Sequence, residues 1–350
     1  MHSPTSNHWK KKLPVKKNRR LFLLLFALLV AAFIGDLFTG NAPISPGEAW
    51  AALFGNSGDA IIDEIIRNYR LPKAITAVIA GSALSLSGLL MQTLFRNPLA
   101  GPDVLGVSAG AGLGVALLTL LSSTAAYPFI ATMGNMAQIT AAIAGAAAVM
   151  VLILAVTARI KDSVTILVLG MIFGYVASAL VTILQSFADP DSLKVFVTWT
   201  FGSLGGVTWD KMPLLLSLVV TGIVLASFMQ KSLNTLLLGE NYAMSTGQHI
   251  KQIRLFIITI SAIITGAVTA FTGPIAFVGV VIPHFARTFF VTVNHKTILP
   301  ATLLLGSILM LTCDIVSQIP LTGRTLPINA VTAIFGAPMI VWIVLKRKKL

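Results

Sequence analysis

The chain has 350 residues, of which 56% are hydrophobic and only 11% charged. Soluble domains carry about a quarter charged residues, so this composition excludes an ordinary soluble protein. The mean hydropathy of +0.88 arises from apolar runs of bilayer length, about 20 residues for a spanning helix. The period-two alternation of a membrane barrel strand is not present. A formal charge of +13 would raise nucleic acid in a soluble protein. Here the basic residues sit mainly in short loops and at the two ends, a pattern of membrane topology. The single cysteine, Cys313, leaves no intrachain disulfide.

In chain order, "KKKLPVKKNRR" (Lys10 to Arg20) precedes an apolar run. No small-residue cleavage site follows Ala32, so the run reads as an uncleaved first span and not a signal peptide. The expected organisation is a basic cytoplasmic tail over 1–20 and one transmembrane domain over 21–350. Ten spans are predicted: 21–38, 72–94, 103–121, 133–158, 164–187, 212–230, 253–271, 275–293, 298–317 and 329–345. An even number returns both ends to one side. Assigning that side to the cytoplasm puts nineteen of the 25 Lys and Arg inside, as the positive-inside rule requires. The fold class is therefore an all-α polytopic membrane protein with both termini cytoplasmic.

Three connections are longer than turns. In the outer segment 39–71, Ser45, Pro46 and Glu48 carry the signature of a capped helix start. In the outer segment 188–211, "TWTFGSLGGVTW" predicts a re-entrant or lying helix at the interface. The inner loop 230–252 reads as two short helices broken at Gly239-Glu240-Asn241. Its apolar face of Leu233, Leu236, Leu237 and Leu238 seeks lipid headgroups or a partner. Asp103 is placed to cap the third span, and Arg287 to snorkel towards the cytoplasm. Small residues recur through the spans, as at Gly81, Gly88, Gly106 and Gly110, and permit close helix packing. "AGSALSLSGLLMQ" and "TGAVTAFTGPIAFVG" form a weak internal echo, as repeated halves do in transporters.

Several chemistries find no residues to carry them. There is no G-x-x-x-x-G-K-[ST] to hold nucleotide, no H-E-x-x-H and no histidine spacing for a metal, and no G-x-S-x-G elbow. A membrane enzyme lacks its catalytic set. A stand-alone ion-coupled carrier, the alternative reading, needs an ionisable residue at depth, but Asp36, Asp103 and Asp314 lie at span ends. Transport powered from outside this chain is the reading that remains.

Three stretches carry a resemblance: "RNYRLPKAITAVIAGSALSLSGLLMQTLFRNPLAGPDVLGVSAGAGLG", "FTGPIAFVGVVIPHFAR" and "LPINAVTAIFGAPMIVWIVLKR". In order and spacing the chain resembles the FecCD family, the permease subunits of ABC importers for iron-siderophores, haem and vitamin B12. The resemblance implies a type II importer permease in a bacterial inner membrane. It implies a dimer, most simply of two copies of this chain, with the pathway at the interface. Two ATP-binding subunits would dock inside and use ATP and Mg. A binding protein would deliver substrate from outside, and no cofactor or nucleic acid would bind the chain itself. By the same resemblance Asn97, Pro98 and Leu99 form an inner gate with Ser163 and Thr165. Arg67, Arg70 and Lys73 of "RLPK" pair with acidic residues of the binding protein. Leu238, Gly239, Glu240, Ala243 and Gly247 match the loop that contacts the ATPase. Gln318, and Thr325 beside Arg324, depart from the family's docking pattern. A ferric siderophore is the expected substrate, with haem and cobalamin as the other metal chelates.

Overall fold

The structure is a computed structural model describing residues 15–40, 42–121, 135–160, 162–319 and 325–347. The basic tail up to residue 14, Lys161 and Arg324 lie outside the described residues. The described chain is helical throughout, with no strand among these residues. In order the helices are α1 (Val15–Phe38), α2 (Pro46–Leu53), α3 (Ala60–Glu64), α4 (Leu71–Leu94) and α5 (Val107–Leu121). They continue as α6 (Asn135–Thr157), α7 (Ser163–Phe187), α8 (Pro190–Thr200), α9 (Met212–Phe228), α10 (Gln230–Leu237) and α11 (Glu240–Ser245). The last are α12 (Ile250–Thr272), α13 (Val278–Phe290), α14 (His295–Ser317) and α15 (Ile328–Arg347). A π-helical turn over Ile65–Arg70 joins α3 to α4, and a 3-10 turn over Pro102–Leu105 precedes α5.

Among the described residues six helices are long and apolar enough to cross a membrane, or seven if the pair α9 and α10, bent by 59°, is one span. The shorter apolar helices Val107–Leu120, Val278–Phe290 and Ile328–Trp342 occupy the remaining three predicted spans. Two of these start later than expected. The third span begins at Val107, after the left-handed Gly106 (φ 68°) ends the 3-10 turn. The eighth begins at Val278, after Phe277 turns the chain at φ 70°. At 1.5 Å per residue, α13 is only about 20 Å long. The non-helical residues before it are buried or half-buried in protein, where such backbone is tolerated at membrane depth.

The core is organised around α4. Almost all of it is buried, and α12, α13 and α14 pack against it. Lipid tails are as apolar as leucine, so association rests on close packing and not on a hydrophobic drive. Two contacts depend on glycine. A methyl group on Gly81 would collide with the Gly306 carbonyl, and one on Gly88 with that of Gly279. Polar side chains join the same helices: the Ser87 and Ser261 hydroxyls touch, Thr265 donates to Ser87 at 2.8 Å, and Ser307 donates to the Val78 carbonyl at 3.0 Å.

The connections divide the bundle into two ends. One gathers residues 95–106, 158–160, 162–163, 229–249 and 291–294 and is called here the Glu240 end. The other gathers 39–40, 42–70, 188–211, 273–277, 318–319 and 325–326 and is called the Arg70 end. At the Arg70 end the predicted capping box is present, with Glu48 N donating to Ser45 Oγ at 3.3 Å and Ser45 N to Glu48 Oε2 at 2.9 Å. The lying helix is displaced from its predicted place. It covers Pro190–Thr200, started by Asp189, and ends before the paired glycines. Those glycines run on as irregular chain tied down by Ser203 N donating to the Thr272 carbonyl at 2.7 Å.

Candidate functional site: two polar ends of one bundle

At the Glu240 end, α4 stops at Leu94 and the chain reverses within a few residues. Asn97 to Ala100 form a β-turn, with Ala100 N donating to the Asn97 carbonyl at 3.1 Å. Leu99 N donates to Asn97 Oδ1 at 3.0 Å. Pro98 holds the second turn position, where its fixed φ and missing N–H cost nothing. Leu99 is left 44% exposed. Asp103 does not cap α5 as expected. It lies in the 3-10 turn before Gly106, and its carboxylate accepts from Ser108 Oγ at 3.0 Å.

Across from this turn, Asp162 caps α7. Its carboxylate accepts from Thr165 N at 2.7 Å and from Thr165 Oγ1 at 2.5 Å. These bonds, the hydroxyl's foremost, hold the Asp162 carboxyl below the usual carboxylate range. Thr165 is thereby spent on the cap. Ser163 points elsewhere and donates to Glu240 Oε1 at 2.9 Å. Arg254, on α12, donates through NH2 to the same oxygen at 2.9 Å and through NH1 to the Ile160 carbonyl at 3.3 Å.

Glu240 is delivered to this point by the break between α10 and α11. Gly239 sits at φ 116°, a conformation that L side chains rarely adopt. Ala243 is fully buried, and Gly247 at φ 80° ends α11, with Gln248 N donating back to the Ala243 carbonyl at 3.1 Å. The leucine face predicted for this segment splits. Leu233 and Leu236 are buried inward, whereas Leu238 is 65% exposed, beside exposed Tyr242 and Met244.

An open groove of about 620 Å³ joins these pieces, lined by Arg96, Asp162, Ser163, Leu238, Gly239 and Glu240 among others. The fold therefore brings Ser163 together with Leu238, Gly239 and Glu240. Asn97, Pro98 and Leu99 lie one residue beyond the groove's Arg96, and Thr165, Ala243 and Gly247 do not line it.

A second polar knot at this end has no counterpart in the expectations above. His295, almost fully buried at the start of α14, makes 2.9 Å contacts through Nε2 to Thr93 Oγ1 and through Nδ1 to Asn234 Oδ1. His295 N also donates to Asn234 Oδ1, at 2.9 Å. The knot ties α10 to α4 and α14. Arg287, half-buried, donates through NH1 to Gln92 Oε1 at 2.6 Å, and Gln92 Nε2 donates to the Val280 carbonyl at 2.9 Å.

The Arg70 end places two of the three expected docking residues inside the protein. Arg70 is only 2% exposed. Its NH1 donates to the Leu37 and Phe38 carbonyls at 3.1 and 3.3 Å, and its NH2 to that of Ala42 at 2.7 Å. Lys73 is likewise buried, its Nζ 2.8 Å from Asp314 Oδ2 and 4.0 Å from Asp36 Oδ1. Gln318 bridges the two carboxylates, donating to Asp36 Oδ1 at 3.1 Å and Asp314 Oδ2 at 3.0 Å. These cations compensate partners within the chain, so neither is a free surface charge. Both line a cavity of about 190 Å³ with Tyr69, Ser317 and Gln318. Arg67 alone of the three is exposed, and Trp209 Nε1 donates to its backbone carbonyl at 3.0 Å.

No group of three or more His, Cys, Asp or Glu among the described residues is arranged to hold a metal. The polar groups gather at the two ends of one helical bundle.

Comparison with known proteins agrees. The chain is 34% identical to the vitamin B12 import system permease protein BtuC of Escherichia coli O9:H4 (strain HS) over 334 residues, 95% of this chain and 97% of that one. It is 33% identical to the BtuC protein of Salmonella paratyphi A (strain ATCC 9150 / SARB42) over 331 residues, 95% of this chain and 96% of the relative. A solved metal-chelate type ABC transporter in an inward-facing conformation superposes with a TM-score of 0.79 at 27% identity, covering 94% of this chain and 99% of the other. The profile of the FecCD transport family matches residues 27–346. The chain belongs to the FecCD transport family, as a multi-pass inner-membrane permease subunit of an ABC importer.

Proposed function

We propose that this permease imports a metal chelate, a ferric siderophore being the first to test, as a dimer of two identical chains. The Glu240 end faces the cytoplasm and receives one ATP-binding subunit per chain, and that subunit supplies the ATP and Mg chemistry. The opposite end receives a substrate-binding protein, with Arg67 as the exposed cation available to it. The turns at Asn97–Leu99 and at Ser163 close the inner side of the passage. One observation carries the reading. A short segment carrying exposed apolar side chains (Leu238, Tyr242, Met244) is hydrogen-bonded through Glu240 to the first turn of a span. A partner seated on that segment has a direct hold on the bundle.

The choice of a chelate rests on the relatives, named for vitamin B12, and on the neighbour described as a metal-chelate transporter. All of these cargoes are large organic complexes of a metal ion. The test is purification from the native membrane, followed by uptake into proteoliposomes of a ferric siderophore, haem and cobalamin in parallel. A co-purifying ATPase and ATP-dependent uptake of the siderophore are expected. Uptake of cobalamin or haem alone corrects the substrate, and uptake by the chain without any ATPase overturns the reading.

A further inference from the structure

Glu240 and Ser163 lie 77 residues apart in the chain, yet one side chain ties both to a third segment. Arg254 sits near the start of α12, the helix packed between α4 and α6. It is 4% exposed. NH2 reaches Glu240 Oε1 at the start of α11, and NH1 reaches the Ile160 carbonyl in the turn between α6 and α7. Ser163, at the far side of the same turn, donates to the same Glu240 oxygen. Asp162 between them also feels the Arg254 charge. The planar fork of arginine suits such divergent acceptors, which lysine's single ammonium cannot match. The bonds to Glu240 are charge-assisted and therefore strong.

We propose that Arg254 is the positioning residue that passes movement of the α10–α11 segment to the α6–α7 turn and the first turn of α7. This deepens the proposed function and rests on its reading of that segment as the seat of the ATPase. The two arms differ in what they grip. The Ile160 carbonyl belongs to the bundle, whereas Glu240 belongs to the segment and its side chain is 35% exposed. A load on α11 is thus applied to Glu240 and delivered to α7 through Ser163 and to the preceding turn through Arg254. Arg254 Nε is buried and has no hydrogen-bond partner. An unpaired buried donor is costly.

The experiment uses the complete complex of permease, ATPase and binding protein in proteoliposomes, reading substrate imported per ATP hydrolysed. Arg254→Gln is expected to lower that ratio about fivefold or more, the low end of ordinary coupling energies, with the ATPase still co-purifying. Arg254→Lys keeps the charge without the fork and falls between. Ser163→Ala removes the other bond to Glu240 Oε1 and gives a smaller fall, and Arg254→Lys carries the test if Arg254→Gln does not accumulate. A merely structural arginine would reduce the amount of complex and leave the ratio untouched. An unchanged ratio in Arg254→Gln, or in Arg254→Lys where the first variant fails to fold, overturns the proposal. Loss of the ATPase from the Arg254→Gln complex also overturns it, by making Arg254 a docking contact. Failure of the underlying reading looks different, because the unaltered complex would then import without ATP.

Discussion

The two ends of the bundle each bury an arginine, and they use it in opposite ways. Arg70 is caged by three backbone carbonyls, beside a Lys73 held between Asp36 and Asp314. Every partner there belongs to α1, its following loop, α4 or α14, and α14 packs against both α1 and α4. Arg254 instead reaches a glutamate on a short helix whose outer face is exposed. Burying charge is costly unless it is paired and hydrogen-bonded. The Arg70 end meets that cost with a closed set that fixes three spans. The Glu240 end leaves one member of the set on a segment that a partner can grip. Similar chemistry yields a fastener at one end and a lever at the other.

If the Lys73 cluster is a fastener, breaking it costs stability. Lys73→Met leaves Asp36 and Asp314 facing each other without their cation, and removal of one partner from a buried pair typically costs about 3–5 kcal/mol. We expect the largest loss of thermal stability in detergent from this variant, read by the unfolding midpoint of purified protein. A midpoint within a degree or two of the unaltered chain would show the cluster to be hydrated and the contrast between the ends to be false. Gly88→Ala follows. Its methyl meets the Gly279 carbonyl, and overpacking of this kind costs about 1–3 kcal/mol. The same measurement checks it, with Gly47→Ala as a control at a position with open space. Asn234→Ala comes next. It leaves His295 without a partner on α10, and an unsatisfied buried group costs about 1–3 kcal/mol. The loss is expected to be local, appearing as faster hydrogen exchange across α10 before any change in the global midpoint.

These residues also mark how far sequence alone reaches. The spans are legible because twenty apolar residues have few other uses: 212–230 is predicted and Met212–Phe228 found, 253–271 predicted and Ile250–Thr272 found. Starts fail where backbone conformation, and not hydropathy, sets them, as at Gly106 and Phe277. The break at Gly239 was legible because a glycine before an acidic residue interrupts a leucine pattern. Its consequence, Glu240 meeting Ser163 and Arg254, was not, since it depends on three segments converging. The clearest miss is at Arg70 and Lys73. Sequence records that two cations stand together near a span end, and a docking patch is the natural reading. Whether they face outward depends on carboxylates supplied by α1 and α14. The one local hint was Asp314 with Gln318, four residues apart and so on one face of a helix.

The smallest expected effect sharpens the comparison at the Glu240 end itself. Asp162 is exposed, and its carboxyl lies below the usual range because Thr165 bonds to it through hydroxyl and amide. A carboxyl whose folded pKa is depressed contributes stability above its unfolded value, and that contribution is lost as pH falls through the folded value. The start of α7 should therefore hold at neutral pH and loosen only under acid conditions, below the ordinary aspartate value of 3.8. Hydrogen exchange at the Val164 and Thr165 amides, corrected for its intrinsic pH dependence, would show this as lost protection. Asp162→Ala should reproduce the loss at neutral pH. Glu240→Gln acts on the same turn from the other side. It leaves the Asp162–Thr165 cap intact while weakening the tie to Arg254, so protection at Thr165 should persist while that of α11 falls. If both variants instead exposed both segments equally, α7 and α11 would move as one body, and the Glu240 end would be a fastener like its counterpart.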